Sequence, residues 1–153
     1  YPILRWENLD VSHHALENRG LLHCEVAVPG WGEPVHCINV HLGLWARSRR
    51  FQLEGLCHRI RDSVPERAAL VVAGDFNDWR GHASAVLSRE LGLEEVFERA
   101  LGRVARSFPA RLPILTLDRI YVRGLGVGEA MRHAEGPWAR LSDHAALAAR
   151  LTR

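Results

Sequence analysis

The chain has 153 residues, 47% hydrophobic and 25% charged, which is enough for one domain with a sizeable core and is ordinary for a globular protein. The net charge of +2 is too small to argue for nucleic acid, no apolar run is long enough to cross a bilayer, and no signal-peptide pattern opens the sequence. All 20 basic residues are arginine, which we interpret mainly as codon bias of a GC-rich bacterial genome, with selection for phosphate contacts as the alternative.

The first half of the chain is predicted to form a hairpin, a helix and a buried strand. Residues 21–28 and 35–42 read as strands with a turn-rich connection between them. Apolar side chains at helical spacing predict a helix over 47–63. The wholly apolar stretch 69–73 is typical of a strand that is buried on both faces.

The second half is predicted to hold a helical stretch with a break near Gly92, a loop and three strands. In chain order these are residues 81–101, 103–116, 117–123, 125–133 and 144–151. We expect the second of the three strands to pair with the first. The order of elements predicts a mixed α/β domain whose sheets are covered by helices.

The three cysteines are an odd number without CxxC spacing, which argues against a disulfide framework and against a zinc site. Cys24 and Cys37 can face each other across the hairpin, with two separate buried thiols as the alternative. This cysteine usage favours a reducing compartment, so we expect a bacterial cytoplasmic protein.

Polar residues follow the buried strand directly, in Gly-Asp-Phe-Asn. If the extended conformation continues, Asp75 and Asn77 point the same way from the strand end, and Phe76 points into the core. Ends of strands are where α/β proteins commonly place their sites. The alternative is that Asp75 and Asn77 cap the helix that follows.

The end of the strand at 35–42 carries a second polar pair, Asn39 and His41, which alternation places on one face. A lone histidine there is more often structural than catalytic. Three arginines then open the next helix, where the helix dipole disfavours positive charge. Either a phosphate-rich partner or a solvated helix face explains Arg47, Arg49 and Arg50.

Two further carboxylates lie at predicted strand edges. Asp118 sits between apolar residues, and a buried carboxylate needs a partner such as Arg119, Arg123 or a backbone N–H. Asp143 and His144 are adjacent at the start of the last strand. Both can face one site only if the strand entrance is irregular, and the alternative is a turn residue followed by a surface histidine.

The ordered set NxHL, GDFN, LDxI and SDH resembles the endonuclease/exonuclease/phosphatase superfamily. This metal-dependent group includes DNase I-like nucleases, abasic-site endonucleases, sphingomyelinases and inositol-phosphate phosphatases. The resemblance implies an α/β (α+β) fold, a four-layer αββα sandwich of the DNase I-like type. It also implies hydrolysis of a phosphate ester by water, with Mg²⁺ or alternatively Mn²⁺. The substrate would be a nucleic acid, a phospholipid or a sugar phosphate.

The resemblance also implies roles for the residues of these motifs. Asp75 would orient and deprotonate the attacking water, and Asn77 would hold that water or a phosphoryl oxygen. His144 would stabilise the charge on the phosphate, and Asp118 would pair with His144. Asp143 would be a metal-site carboxylate.

Further contacts follow from the same resemblance. Asp75 and Asn77 would share the metal site with Asp143. His41, together with Asn39, Asn77 and His144, would contact phosphate oxygens.

The sequence departs from the family pattern at its beginning. Two motifs are absent, a strand ending in Asn and a metal-binding Glu, and neither Glu7 nor Glu17 has the context of that Glu. We therefore expect residues 1–153 to be a partial single domain without its N-terminal strands, impaired in activity and able to self-associate through the exposed sheet edge. The alternative function is a non-catalytic or degenerate binding module of the same fold.

The substrate class is left open by the sequence. A nuclease would use a basic groove, which Arg47, Arg49, Arg50, Arg80 and Arg106 could supply. Residue 79 is a tryptophan that could stack on a base, although packing is the commoner role. A lipid phosphodiesterase would need an exposed apolar rim, and no apolar insertion is evident.

Overall fold

The computed structural model describes residues 1–14 and 17–153, which form two β-sheets and four helices. The strands are β1 Ile3–Asp10, β2 Gly20–Val26, β3 Val35–His41, β4 Leu70–Asp75, β5 Glu94–Glu95, β6 Asp118–Arg123, β7 Gly126–His133 and β8 Ala146–Thr152. The helices are α1 Ala46–Ser63, α2 His82–Leu91, α3 Val96–Leu101 and α4 Trp138–Leu141.

The larger sheet has six strands in the order β1-β2-β3-β4-β6-β5. The predicted hairpin is confirmed as the antiparallel pair β2–β3, in which Cys24 lies opposite Cys37 as two free thiols. Strand β4 runs parallel to β3, because α1 carries the chain back between them. Strand β6 then pairs antiparallel with β4 on its other side. Strand β4 is therefore central, as its apolar sequence predicts.

Helices α1 and α2 cover one face of the six-stranded sheet. Their apolar stripes, which include Leu56 and Ile60 of α1 and Leu87 of α2, pack on strand residues such as Ile38 and Val72. All five side chains are at most 2% exposed. This spacing of buried residues confirms the helical periodicity that the sequence predicts over 47–63.

The other face of the six-stranded sheet packs against a second sheet, formed by β7 and β8. Val35 and Val122 of the larger sheet lie in one cluster with Val127 of β7 and Leu147 of β8, joined by Phe97 of α3. The order of layers is therefore helices α1 and α2, the six-stranded sheet and the two-stranded sheet. This mixed α/β arrangement confirms the predicted fold class, with three layers of the sandwich formed by the described residues.

Several predictions about elements were wrong or incomplete. Strand β7 pairs with β8 and not with β6, because the chain changes sheets at Gly124 and Leu125. Strand β1 and helix α4 were not predicted at all. The helical stretch 81–101 divides at Gly92, as expected, but the two-residue strand β5 lies between its halves. Among the described residues, every helix is too short or too polar to cross a membrane.

Candidate active site

Three polar side chains lie in one row across three adjacent strands. The last residue of β3, His41, is in register with Asp75 at the end of β4, and Asp75 is in register with Asp118 at the start of β6. Because alternate strand residues share a face, the three side chains point into the layer between the two sheets. The histidine Nε2 lies 3.7 Å from Oδ2 of Asp75.

Gly74 allows β4 and β3 to approach closely just before this row. Its φ is +139°, and a Cβ at this position would lie 2.0 Å from the carbonyl oxygen of Val40. No L side chain fits there without a backbone shift. The position of the Asp75 carboxylate therefore depends on Gly74. This glycine is visible in the sequence, but the alternation of strand side chains does not reveal its role.

Asn77 holds the turn that follows β4. Its φ is +49°, in the left-handed region that Asn tolerates. The backbone N–H donates to Oδ1 of Asp75 at 2.8 Å, and Nδ2 donates to the carbonyl of Leu42 at 2.9 Å. The chain turns here, so the expected continuous extended conformation was wrong, although Phe76 is fully buried as predicted.

The alternative that Asp75 and Asn77 cap the next helix was wrong as well. Asp78 does this instead, since its Oδ2 accepts the backbone N–H of Ala83 in the first turn of α2 at 2.6 Å. Asp75 and Asn77 bond to each other and to the loop after β3. Their side chains are thus fixed at the strand end and independent of the helix.

His144 lies just before β8 of the second sheet and contacts the row. Its Nδ1 lies 2.7 Å from Oδ2 of Asp118, and its ring packs at 4.9 Å on that of Phe108. The hydroxyl of buried Ser107 accepts the backbone N–H of Asp118 at 3.1 Å, which holds the carboxylate in place. The partner of Asp118 is therefore His144, and the alternatives Arg119 and Arg123 were wrong.

The entrance to β8 is irregular, as the sequence analysis required. Strand β8 begins only at Ala146, and the Ser142 hydroxyl accepts the backbone N–H of His144 at 3.1 Å. The carbonyl of Asp143 accepts from Ala110 at 2.7 Å, and the carboxylate of Asp143 is exposed. Asp143 and His144 therefore precede the strand, so the alternation of strand side chains does not force the two onto opposite faces.

The charges at this site shift two pKa values upwards. Burial raises the pKa of the Asp75 carboxyl, and nearby Asp118 adds to this, against the hydrogen bond from Asn77 and the two histidines. For His144, burial favours the neutral ring, but the hydrogen bond and charge of Asp118, with the charges of Asp75 and Asp143, outweigh it and raise the pKa. The site therefore pairs a more basic carboxylate with a histidine that favours its cationic form.

The donor set suits a hard cation only in part. Asp75 and Asp143 offer carboxylate oxygens. Asn77 offers its amide oxygen, while its amide nitrogen donates to the carbonyl of Leu42. Within residues 1–14 and 17–153, no group of three or more His, Cys, Asp or Glu side chains is arranged to hold a metal ion. Mg²⁺ typically binds through one or two carboxylates, retaining waters and substrate oxygens, so Asp75 and Asn77 offer part of the ligand set that such an ion uses.

The remaining predicted residues lie outside the row. Asn39 faces the same way as His41 but lies two residues earlier on β3, opposite Ala73. Arg49 is buried, donates to the carbonyl oxygens of Gly43 and Leu44, and lies 5.3 Å from the ring of Trp79. Its predicted contribution to a basic groove was therefore wrong.

The other four arginines of the predicted groove, Arg47, Arg50, Arg80 and Arg106, are exposed. Glu7 and Glu17 are engaged elsewhere, in agreement with their exclusion as metal ligands. Glu7 pairs with Arg59 at 2.6 Å, and Glu17 accepts from Gln52 at 2.9 Å.

Sequence reasoning did not predict the positioning role of Arg119, which connects two loops at the site. The side chain is buried and donates to the carbonyl of Asp78 at 3.3 Å and to the hydroxyl of Thr116 at 3.1 Å. It thereby ties the loop after β4 to the loop before β6. The only signal was the alternation of β6, which places Arg119 on the face opposite to Asp118.

The family model described as the endonuclease/exonuclease/phosphatase family matches residues 1–144, and the chain belongs to this family. It is similar to the uncharacterized protein YbhP of Escherichia coli K12, with 43% identity over 151 residues. The match covers 99% of this chain and 59% of YbhP, so the chain spans about three-fifths of that relative.

Solved structures of the same fold include a protein in complex with a DNA product and a phosphatase. Danio rerio TDP2, in complex with a single-strand DNA product, has a TM-score of 0.78 and 19% identity, with 99% of this chain and 68% of TDP2 covered. The mannosyl-6-phosphatase of Bacteroides thetaiotaomicron has a TM-score of 0.82 and 14% identity, with 99% and 67% covered. At these identities the likeness shows the fold.

Proposed function

We propose that this chain carries the catalytic residues of a metal-dependent phosphoesterase, which hydrolyses a phosphate ester by direct attack of water. The observation that carries the proposal is the row of His41, Asp75 and Asp118 at one end of the sheet, completed by His144 at 2.7 Å from Asp118. A carboxylate base next to a cationic histidine suits phosphoryl transfer, which depends on positioning and on neutralised charge.

In the proposed reaction, the oxygen of a water molecule bonds to phosphorus as the bond from phosphorus to the leaving oxygen breaks. Asp75 accepts the proton of the water, a role that its raised pKa favours. The cationic ring of His144, held by Asp118, stabilises the charge on the phosphoryl oxygens. His41 and Asn77 bind the remaining phosphoryl oxygens, and the leaving oxygen takes a proton from solvent.

Asp75, Asp143 and the amide oxygen of Asn77 would hold a hard divalent cation, Mg²⁺ or Mn²⁺. When bound, such an ion neutralises charge on the phosphate and the leaving oxygen. The family name and the two structural neighbours support the phosphoesterase class without choosing among nucleic acid, lipid and sugar phosphates.

The experiment is hydrolysis of bis(4-nitrophenyl) phosphate by the purified chain with Mg²⁺ and with excess EDTA. We expect turnover that EDTA abolishes and that Asp75→Ala lowers by about 10²- to 10⁴-fold in kcat. Asp62→Ala is the matched control, because Asp62 is an exposed carboxylate near the end of α1. Circular dichroism checks that both variants fold.

Two results would count against this function. A rate that EDTA leaves intact contradicts the metal, and a rate that Asp75→Ala leaves intact contradicts the assigned base. No turnover of any phosphate ester by a folded chain favours the non-catalytic binding module instead.

A further inference from the structure

Exposed large apolar side chains surround the candidate active site. They occupy four short segments that we call the apolar rim: residues 44–47, 79–80, 110–115 and 138–141. The first two follow β3 and β4, and the last two precede Asp118 and His144. All four therefore lie at the end of the sheets that carries the site. The rim is assembled from separate connections, which is why no apolar insertion is visible in the sequence.

The first two segments present two tryptophans and a leucine. Trp45 is 74% exposed and Leu44 is 61% exposed, directly after the strand that ends in His41. Trp79 rests with its ring near Arg49 and leaves about half of its side chain exposed. Soluble proteins rarely expose such residues in one contiguous area unless the area binds something.

The last two segments present mainly aliphatic side chains. Leu112 and Ile114 are largely exposed in the loop before Asp118. Leu141 is 73% exposed just before the Ser-Asp-His motif, next to the half-exposed Trp138. Aliphatic side chains offer no flat ring on which a base can stack, so they favour an apolar partner over single-stranded nucleic acid.

Each segment of the rim also carries one exposed arginine: Arg47, Arg80, Arg111 and Arg140. The rim segments themselves contain no acidic residue. The carboxylates near them include buried Asp78, those of the site, Asp75, Asp118 and Asp143, and also Glu17 beside Gly43 and exposed Glu135 before the fourth segment. Leucine and tryptophan interspersed with arginine complement the boundary between lipid tails and anionic headgroups.

Hydrogen bonds and one cation–π contact connect the parts of the chain that carry the four segments. Arg49 links the first segment to Trp79, and Arg119 links the loop after β4 to Thr116 beside the third segment. Ala110 of the third segment donates to the carbonyl of Asp143, which follows the fourth segment. The rim is therefore held in place around the site.

We propose that the apolar rim docks the active-site end onto an anionic phospholipid bilayer, so that the substrate is the phosphate ester of a membrane lipid. This inference rests on the proposed phosphoesterase function, because the rim only places a lipid phosphate beside the row of His41, Asp75 and Asp118. The leucines and tryptophans enter the boundary below the headgroups, and the arginines contact the lipid phosphates around it.

Co-sedimentation of the chain with vesicles tests the docking directly. We expect binding to vesicles of phosphatidylglycerol in phosphatidylcholine and weaker binding to phosphatidylcholine alone. Leu44→Ser should lower the partition coefficient about tenfold, because a partly inserted leucine is lost. Leu4→Ser should not change it, since Leu4 is equally exposed at 61% but lies at the opposite end of the larger sheet.

A second pair of variants tests the charge. Arg80→Ala should lower binding to the anionic vesicles about fivefold, as expected for one basic residue at a membrane surface. Arg67→Ala should have no effect, because Arg67 is exposed before the start of β4, at the far end from Asp75. Equal losses from the rim variants and their controls would overturn the proposal.

The design separates the docking from the chemistry, because vesicle binding needs no turnover. Hydrolysis of bis(4-nitrophenyl) phosphate without vesicle binding overturns the docking and leaves the proposed function standing. Vesicle binding without hydrolysis of any ester supports the docking and overturns the proposed function. Preferential binding of single-stranded DNA that Trp45→Ala weakens and Leu44→Ser does not would overturn the lipid assignment. Mg²⁺-dependent cleavage of the vesicle phospholipid, followed by ³¹P NMR, is the supporting result for the substrate.

Discussion

Histidines contact the six-stranded sheet at two places, and the charges of their neighbours differ. His144 bonds to Asp118 and feels two further carboxylates, so that its pKa is raised. His23 and His36 lie beneath α1, with Nε2 of one 3.0 Å from Nδ1 of the other, and Arg59 adds a positive charge beside them. Burial and these neighbours lower the pKa of His23, and burial lowers that of His36.

Burial alone therefore does not assign a histidine its role. The pair under α1 has neutral rings that satisfy each other inside the structure, which is a structural arrangement. His144 instead lies among carboxylates that favour its cationic form, which suits the binding of an anion. Function and stability should therefore separate between the two groups.

The largest expected effect is a separation of activity from stability. His144→Ala should lower kcat for bis(4-nitrophenyl) phosphate by about 10²- to 10⁴-fold and should cost less unfolding free energy than His23→Ala, because the His144 side chain is 25% exposed whereas His23 is buried. His23→Ala should destabilise the chain by about 2 kcal/mol, since His36 loses its buried partner, with kcat per folded molecule unchanged. Steady-state kinetics and urea denaturation measure the two quantities.

If the two variants behave alike, the two groups of histidines do not differ in role. A loss of activity in folded His23→Ala, or full activity in His144→Ala, would remove the distinction between the two groups.

The next effect concerns the backbone that carries the row. Gly74→Ala should lower the unfolding free energy by about 3 kcal/mol, because the new methyl group meets the carbonyl of Val40 at a positive φ. Gly55→Ala is the matched control, as Gly55 lies within α1 with no atom within 4 Å of its ideal Cβ. That control should be neutral or stabilising by up to about 1 kcal/mol. Similar losses from both variants would contradict the strained approach of β3 and β4.

Much of the fold follows from local patterns in the sequence. The hairpin β2–β3, helix α1 and the central strand β4 were predicted because each buries a clear apolar stripe or run. Strand β1 was missed because it is exposed along most of its length at the sheet edge and so lacks an alternating signal. The predicted pairing of β7 with β6 was wrong, because the sequence carries no local sign that the chain changes sheets between them.

The residues of the candidate site that lie in motifs at strand ends were predicted. The residues that act through contacts between distant loops were not predicted. The register of His41, Asp75 and Asp118 follows from strands of the right length. By contrast, the roles of Ser107 and Arg119 depend on loops that meet only in three dimensions. The cytoplasmic location, the partial domain with its impaired activity, and self-association stay predictions.

The smallest expected effect is the pH dependence of stability from the histidines under α1. Their folded pKa values lie below the ordinary value of 6.5, so the unfolded chain binds more protons as the pH falls. Their contribution is full above about pH 6.5 and is lost as the pH drops through the folded pKa values. Urea denaturation at neutral and mildly acidic pH should show decreasing stability.

The double variant His23→Gln/His36→Gln provides the control for this effect, because it removes both titrating rings. Its stability should depend less steeply on pH over the same range. A slope as steep as that of the wild type would assign the pH dependence to other groups.

The most direct test of the central claim is a double-mutant cycle on Asp118 and His144, measured as kcat for bis(4-nitrophenyl) phosphate with Mg²⁺. In the proposed mechanism the two side chains form one unit, in which Asp118 holds the cationic ring. Asp118→Asn should therefore lower kcat by about 10²-fold, and adding it to His144→Ala should lower kcat no further. If the double variant loses the product of the two single effects, the residues act independently and the account of this site is contradicted.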